Sequence, residues 1–156
     1  MIVVSNASPI ILLDNIGRLD ILHKLYKTII IPEAVNREIF NQSKNKSEKP
    51  AWIIIKFISD KTKADYLKNT LDSGESEVII LAEELKADLL LLDDYEARKT
   101  AKAMKLKITG IAGVLLDSKE IGLIDSVCDE MEKLIQCNYR ISKELYQLIL
   151  KEADEL

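Results

Sequence analysis

Short apolar runs alternating with helical segments constrain this chain more than any other feature. Residues 2–4 (IVV), 28–31 (TIII) and 89–92 (LLLL) are only three or four residues long, and residues 106–109 (LKIT) form a fourth such run. The first three lack the polar alternation of a strand with one wet face, so they read as strands buried on both faces. Helical signals lie between them. Ser8 followed by Pro9 reads as an N-cap with proline at the first helical position, opening a helix over residues 9–15 that ends near Gly17. Residues 19–26 place Leu19, Leu22 and Leu25 on one face, and Pro32 opens a third helix, PEAVNREIF. Helices are expected over residues 61–71, over 75–86 after the turn at Asp72-Ser73-Gly74, and over 95–104. Residues 51–58 (AWIIIKFI) fit helix or strand.

Strands and helices that alternate without a linker or repeat predict an α/β fold, a parallel sheet sandwiched by helices on both faces. One domain over residues 1–156 is expected. Its last helix begins near residue 142, after an extended piece at 139–141, and packs either on that domain or on a partner.

With 156 residues the chain can build a real core, and 47% hydrophobic with 31% charged residues is ordinary for a globular protein. A net charge of −4 excludes a whole-chain basic field, though a local patch can still steer a polyanion. Cys128 and Cys137 form no CxxC pair and read as reduced core thiols. His23 is the single histidine, which argues against zinc. No stretch reaches the roughly 20 apolar residues of a membrane span, and the N-terminus lacks a signal-peptide pattern. A cytoplasmic location is the expectation.

Open parallel sheets bind ligands beyond the carboxyl ends of their strands. Asn6 follows the first run, Glu38 sits in the helix after the second, Glu75 opens the helix leading into the leucine run, and Asp93-Asp94 end that run. Clustered carboxylates repel and ask for a cation, and hard oxygen donors favour Mg²⁺ or Mn²⁺. Such an ion polarises a phosphoryl oxygen, generates hydroxide and stabilises the leaving oxygen, so phosphodiester hydrolysis suits the set. Each acid also has a local reading. Asp93-Asp94 suit a helix cap, Glu75 complements a helix dipole, and Glu38 suits a solvated helix face.

The segments VVSNASPIILL, IIIPEAVNREI, SGESEVIILAEELKADLLLLDDYEARKTA and KITGIAGVLL, in that order, cover most of residues 2–116. Together they resemble the PIN domains, in particular the VapC-like branch. The resemblance implies a parallel α/β sandwich, an acidic pocket and metal-dependent cleavage of single-stranded RNA. It also implies the role of toxin in a toxin–antitoxin pair, with a small antitoxin as partner and a homodimer as the assembly. Carried over position by position, the catalytic and metal-binding set is Asn6, Glu38, Glu75 and Asp93. Glu77 is the rival for Glu75, and Asp94 stands beside Asp93 as a further metal ligand. Asn6 replaces the family's first aspartate and leaves the site one charge short. The alternative is therefore a catalytically weakened module that binds RNA or antitoxin.

Arg98, Lys102 and Lys105 fall at i, i+4 and i+7 and predict a basic helix face for RNA phosphates, or a solvated face of no function. Lys44, Lys46 and Lys49, interrupted by Glu48, make a weaker basic loop. No aromatic ladder for base stacking is visible. An unrelated nucleotide-binding enzyme is disfavoured, because neither GxGxxG nor a P-loop occurs.

Overall fold

The computed structural model of the chain describes residues 1–40 and 48–156. Lys44 and Lys46 of the basic loop lie outside the described residues.

Strand β1 (Val3–Ser5) occupies the centre of a five-stranded sheet. Beside it stand β2 (Ile29–Pro32) and then β3 (Ile53–Lys56) on one side, and β4 (Leu89–Leu91) and then β5 (Ile108–Thr109) on the other. Every pairing is parallel, with Val4 beside Ile30 and Leu90. Val3, Val4, Leu90 and Leu91 are essentially inaccessible to water. Burial on both faces is why these strands are unbroken apolar runs.

The chain steps from β1 outward to β3, then crosses back over β1 to β4. Right-handed crossovers in opposite directions put their helices on opposite faces of the sheet. Helices α1 (Ala7–Asn15) and α2 (Asp20–Tyr26) belong to the first direction. Helices α4 (Lys61–Leu67) and α5 (Ser73–Leu85) belong to the return. Five consecutive residues of α5, Val78 to Ala82, are buried, since it is wedged between the sheet and its neighbours α3 (Glu33–Ile39), α4 and α6 (Tyr95–Ala103). Helices α7 (Ile111–Glu120), α8 (Val127–Gln136) and α9 (Lys143–Glu152) complete the fold. No helix among the described residues is long and apolar enough to cross a membrane.

Two local expectations are corrected and one open reading is settled. Helix α1 starts at Ala7 with Asn6 as N-cap, two residues before Pro9. The first N–H groups of a helix have no intrahelical partner, so a proline in the third position breaks nothing. Residues 53–56 settle as strand through their pairing with β2. Helix α6 ends at Ala103, before Lys105. There Lys105 takes a left-handed φ of 62°, and the amides of Lys105 and Leu106 donate to the carbonyls of Lys102 and Ala101. That pair of bonds closes a helix, usually on glycine. Arg98, Lys102 and Lys105 therefore do not form one helix face.

The last helix packs on the domain. α9 lies against α7, with Ile149 and Ala153 buried. Beyond it Glu155 accepts the amides of Val127 and Cys128 at the start of α8, at 2.7 and 2.8 Å, and pairs with Lys119 at 2.9 Å.

Candidate active site

The order of the strands puts the switch in winding direction between β1 and β4, where a cleft opens beyond the carboxyl ends. Asn6 directly follows β1 and the Asp93-Asp94 pair follows β4; Asp93 and Asp94 line that cleft. The Asn6 amide donates to the Leu91 carbonyl at 3.0 Å, which extends the ladder by one residue and fixes the side chain at the sheet edge. Asn6 is 7% exposed, and its side chain makes no capping bond to α1. Its oxygen is turned instead toward the first turn of α5.

That turn contains Gly74, and the point where its Cβ would stand is a meeting place. Asn6 Oδ1 lies 3.5 Å from that point, and Asp72 Oδ1 and Glu38 Oε1 lie 3.6 Å from it. Three side chains from three elements thus surround a cradle that exists because residue 74 has no side chain. Burial pushes the Glu38 carboxyl up, and the neighbouring charge of Asp72 pushes it further.

Glu75 continues the group. Asp72 and Glu75 form a capping box: the Glu75 amide donates to Asp72 Oδ1 at 2.8 Å, and the Asp72 amide donates to Glu75 Oε1 at 3.1 Å. The local capping reading of Glu75 is therefore realised, and it coexists with a place in the cleft. Burial raises the Glu75 carboxyl, hydrogen bonding to the Asp72 backbone opposes this, and the charges of Asp72 and Asp94 raise it again. Glu75, Asp93 and Asp94 line one cleft of about 690 Å³, together with Ser8, Arg98 and Arg140. Glu77 points elsewhere. It accepts the Ala34 amide at 3.1 Å and faces a separate groove with Arg37. Positions i and i+2 on a helix are roughly 200° apart, so one of the two had to turn away.

The adjacent aspartates differ in role. Both oxygens of Asp93 accept the amide of Ile111, at 3.0 and 3.2 Å, which ties β4 to the start of α7. Burial raises its carboxyl, and that hydrogen bond and the nearby Arg98 guanidinium oppose the rise. Arg98 turns inward and donates to the Leu92 carbonyl at 2.8 Å. Asp94 caps α6 through the Ala97 amide at 2.9 Å and stands beside Glu75. Lys102 and Lys105 are exposed and do not line the cleft.

Asn6, Glu38 and Asp72 thus gather at Gly74, with Glu75 and Asp94 adjoining and Asp93 committed to the α7 amide. Among the described residues no three acidic, histidine or cysteine side chains already stand as a metal-ligand group. The donors nevertheless suit a hard divalent cation in kind: oxygens alone, carboxylates that repel one another, and an open cradle between them. In the sequence Asp72 reads only as part of a turn, yet it caps α5 and faces the Gly74 cradle. The D-x-x-E spacing of Asp72 and Glu75 was the available signal. Arg140 also lines the cleft, and no local pattern in the sequence points to it.

A family model described as a PIN domain matches residues 2–155. No curated protein matches the chain, and no solved structure does.

Proposed function

The chain belongs to the PIN-domain family, a nuclease-type fold, and from that premise we propose that it is a divalent-metal-dependent endoribonuclease acting on single-stranded RNA. The observation that carries this reading is the convergence of Asn6, Glu38 and Asp72 on the Gly74 cradle at the switch point of the sheet. Glu38, Asp72, Glu75 and Asp94 would hold Mg²⁺ or Mn²⁺, with Asn6 as a neutral oxygen donor. Of the two adjacent aspartates, Asp94 is preferred because it stands beside Glu75, while Asp93 shares the Ile111 amide between its oxygens and faces the Arg98 guanidinium.

The ion would supply Lewis acidity and charge compensation at a phosphoryl oxygen. The chain's own residues do the positioning. The capping box fixes Glu75 at the first turn of α5. Arg98 and the Ile111 amide hold the β4–α6 turn, which keeps Asp94 at the cleft. The VapC-like role of toxin, a small antitoxin partner, a homodimer and a cytoplasmic setting belong to the same proposal and rest on the resemblance of the four sequence segments.

Asn6 favours a second reading, a weakened module that binds RNA or an antitoxin without cutting. Calorimetric titration with Mn²⁺ separates the two. The nuclease reading expects saturable binding that Glu38→Gln removes. A pocket that takes up no Mn²⁺ supports the weakened module.

A further inference from the structure

We propose that Arg140 and Tyr95 form a single-strand grip on the rim of the cleft, Arg140 taking a backbone phosphate and Tyr95 stacking an unpaired base. This inference rests on the endoribonuclease reading and names how the substrate is held.

The approach of Arg140 is built by the end of α8. Asn138 takes a left-handed φ of 70°, and the amides of Asn138 and Tyr139 donate to the carbonyls of Ile135 and Leu134. Asparagine is one of the few residues besides glycine that adopt this conformation readily. The chain then turns back toward α9 across the cleft. Tyr139 is half-buried at the cleft wall. It lines the same cleft as Asp93 and Arg98. With Tyr139 seated, Arg140 falls at the rim.

Two arginines and no lysine line the cleft. Arg98 is spent on the Leu92 carbonyl and on its neighbour Asp93. Arg140 is exposed and makes no hydrogen bond or ion pair among the described residues. Residues 41–47 contain no acidic side chain that could pair with it. A polyanion entering a cleft walled by Glu75, Asp93 and Asp94 meets repulsion, which a cation on its path offsets. A guanidinium fork matches two phosphate oxygens.

Tyr95 supplies the other half. It follows Asp94 directly, opens α6, lines the same cleft and is 74% exposed. An aromatic ring held open to water on the same cleft as an unpaired arginine is a pairing suited to single strands, because only an unstacked base can reach the ring. The basic stripe expected from sequence does not supply this contact, since Lys102 and Lys105 lie off the cleft.

The test is binding of a fluorescently labelled, unstructured oligoribonucleotide with Ca²⁺ in place of Mn²⁺, across a salt series. Cleavage by wild type in Mn²⁺ is followed in parallel. Arg140→Gln should raise Kd about fivefold to tenfold and lower the salt slope by about 0.7, the value for one single-strand phosphate contact. Tyr95→Ala should weaken binding roughly fivefold to a hundredfold, the range for one stacked base, and Tyr95→Phe should restore it. Thermal melting should not move in either arginine or phenylalanine variant. Lys86→Gln, at the far end of α5, controls for general loss of charge. If wild type cleaves RNA while Arg140→Gln and Tyr95→Ala bind as wild type does, the grip is wrong and the nuclease reading stands. A loss that falls on Lys102→Gln instead has the same consequence. If wild type neither binds nor cleaves RNA, both fall together.

Discussion

Gly74→Ala separates metal binding from stability with a single methyl group. A Cβ at residue 74 would meet Asn6 Oδ1, Asp72 Oδ1 and Glu38 Oε1 at 3.5, 3.6 and 3.6 Å. These are ordinary van der Waals contacts, so the methyl fits without displacing anything. Gly74 lies inside the first turn of α5, where alanine is favoured over glycine by about 0.5–1 kcal/mol. For a domain of this size that corresponds to a rise in Tm of roughly 1–4 °C in EDTA. Withdrawal of water from the Glu38 carboxylate reduces the gain. The same methyl occupies the space into which the three oxygens must contract, because Mg²⁺ needs oxygens at about 2.0–2.1 Å. Wild type should gain about 2.7 kcal/mol when Mn²⁺ is present at a hundred times its Kd, which is several degrees of Tm. Gly74→Ala should lose most of that increment while melting no lower than wild type in EDTA. The assay is thermal melting of both proteins across a Mn²⁺ titration. A variant that keeps the full metal increment would refute the assignment of the cradle as the ion's place.

Three further outcomes are expected. Asn6→Asp adds a carboxylate to the cradle, so it should lower Tm in EDTA and deepen the Mn²⁺ increment; no change in either places Asn6 outside the metal shell. Glu75→Gln should cut Mn²⁺ affinity or cleavage by at least about 10–100-fold, whereas Glu77→Gln, whose amide oxygen can still accept the Ala34 amide, should leave cleavage nearly unchanged; equal losses in a cleavage assay would undo the distinction. Gly110→Ala would put a Cβ 2.6 Å from Asp93 Oδ1 and 3.0 Å from the Arg98 guanidinium, so it should destabilise by about 1–3 kcal/mol in chemical denaturation; a neutral result would mean that the Asp93–Ile111 tie is not structural.

Glu38 carries a prediction whose sign depends on pH. Its folded carboxyl holds a proton to higher pH than the unfolded chain does. Ionised Glu38 therefore destabilises the metal-free protein above its raised value, and the penalty disappears below the ordinary glutamate range of about 4.3. Glu38→Gln should accordingly melt higher than wild type in EDTA at pH 8, with the difference shrinking toward zero as pH falls to about 4. A constant difference across that range would mean that the carboxylate charge is not its cause.

The central strands were legible because both of their faces are buried, which leaves unbroken apolar runs. β3 was not, because a short edge strand such as IIIK differs from a helix turn only through its pairing with β2. The strand-end rule pointed to Asn6, Glu38 and Glu75 as candidates, since each lies within a few residues of a strand or opens the helix that feeds one. Asp72 was hidden by the expectation that its turn precedes the helix, when it is the cap of that helix. Lys105 misled because α6 closes on a lysine in the left-handed region, where glycine would have announced the end. Arg140 was illegible in principle. Its place over the cleft depends on how the turn after α8 carries the chain to α9, which packs on α7, and no local pattern encodes that docking.

Cleavage of an end-labelled RNA carrying both an unpaired segment and a stable hairpin is the most direct measurement. It should be run with wild type and Glu38→Gln, in Mn²⁺ and in EDTA. The account predicts cuts by wild type in the unpaired segment alone, only with Mn²⁺, and none by Glu38→Gln although that variant melts cooperatively. Intact RNA after incubation with wild type in Mn²⁺, or equal cleavage by Glu38→Gln, would contradict it.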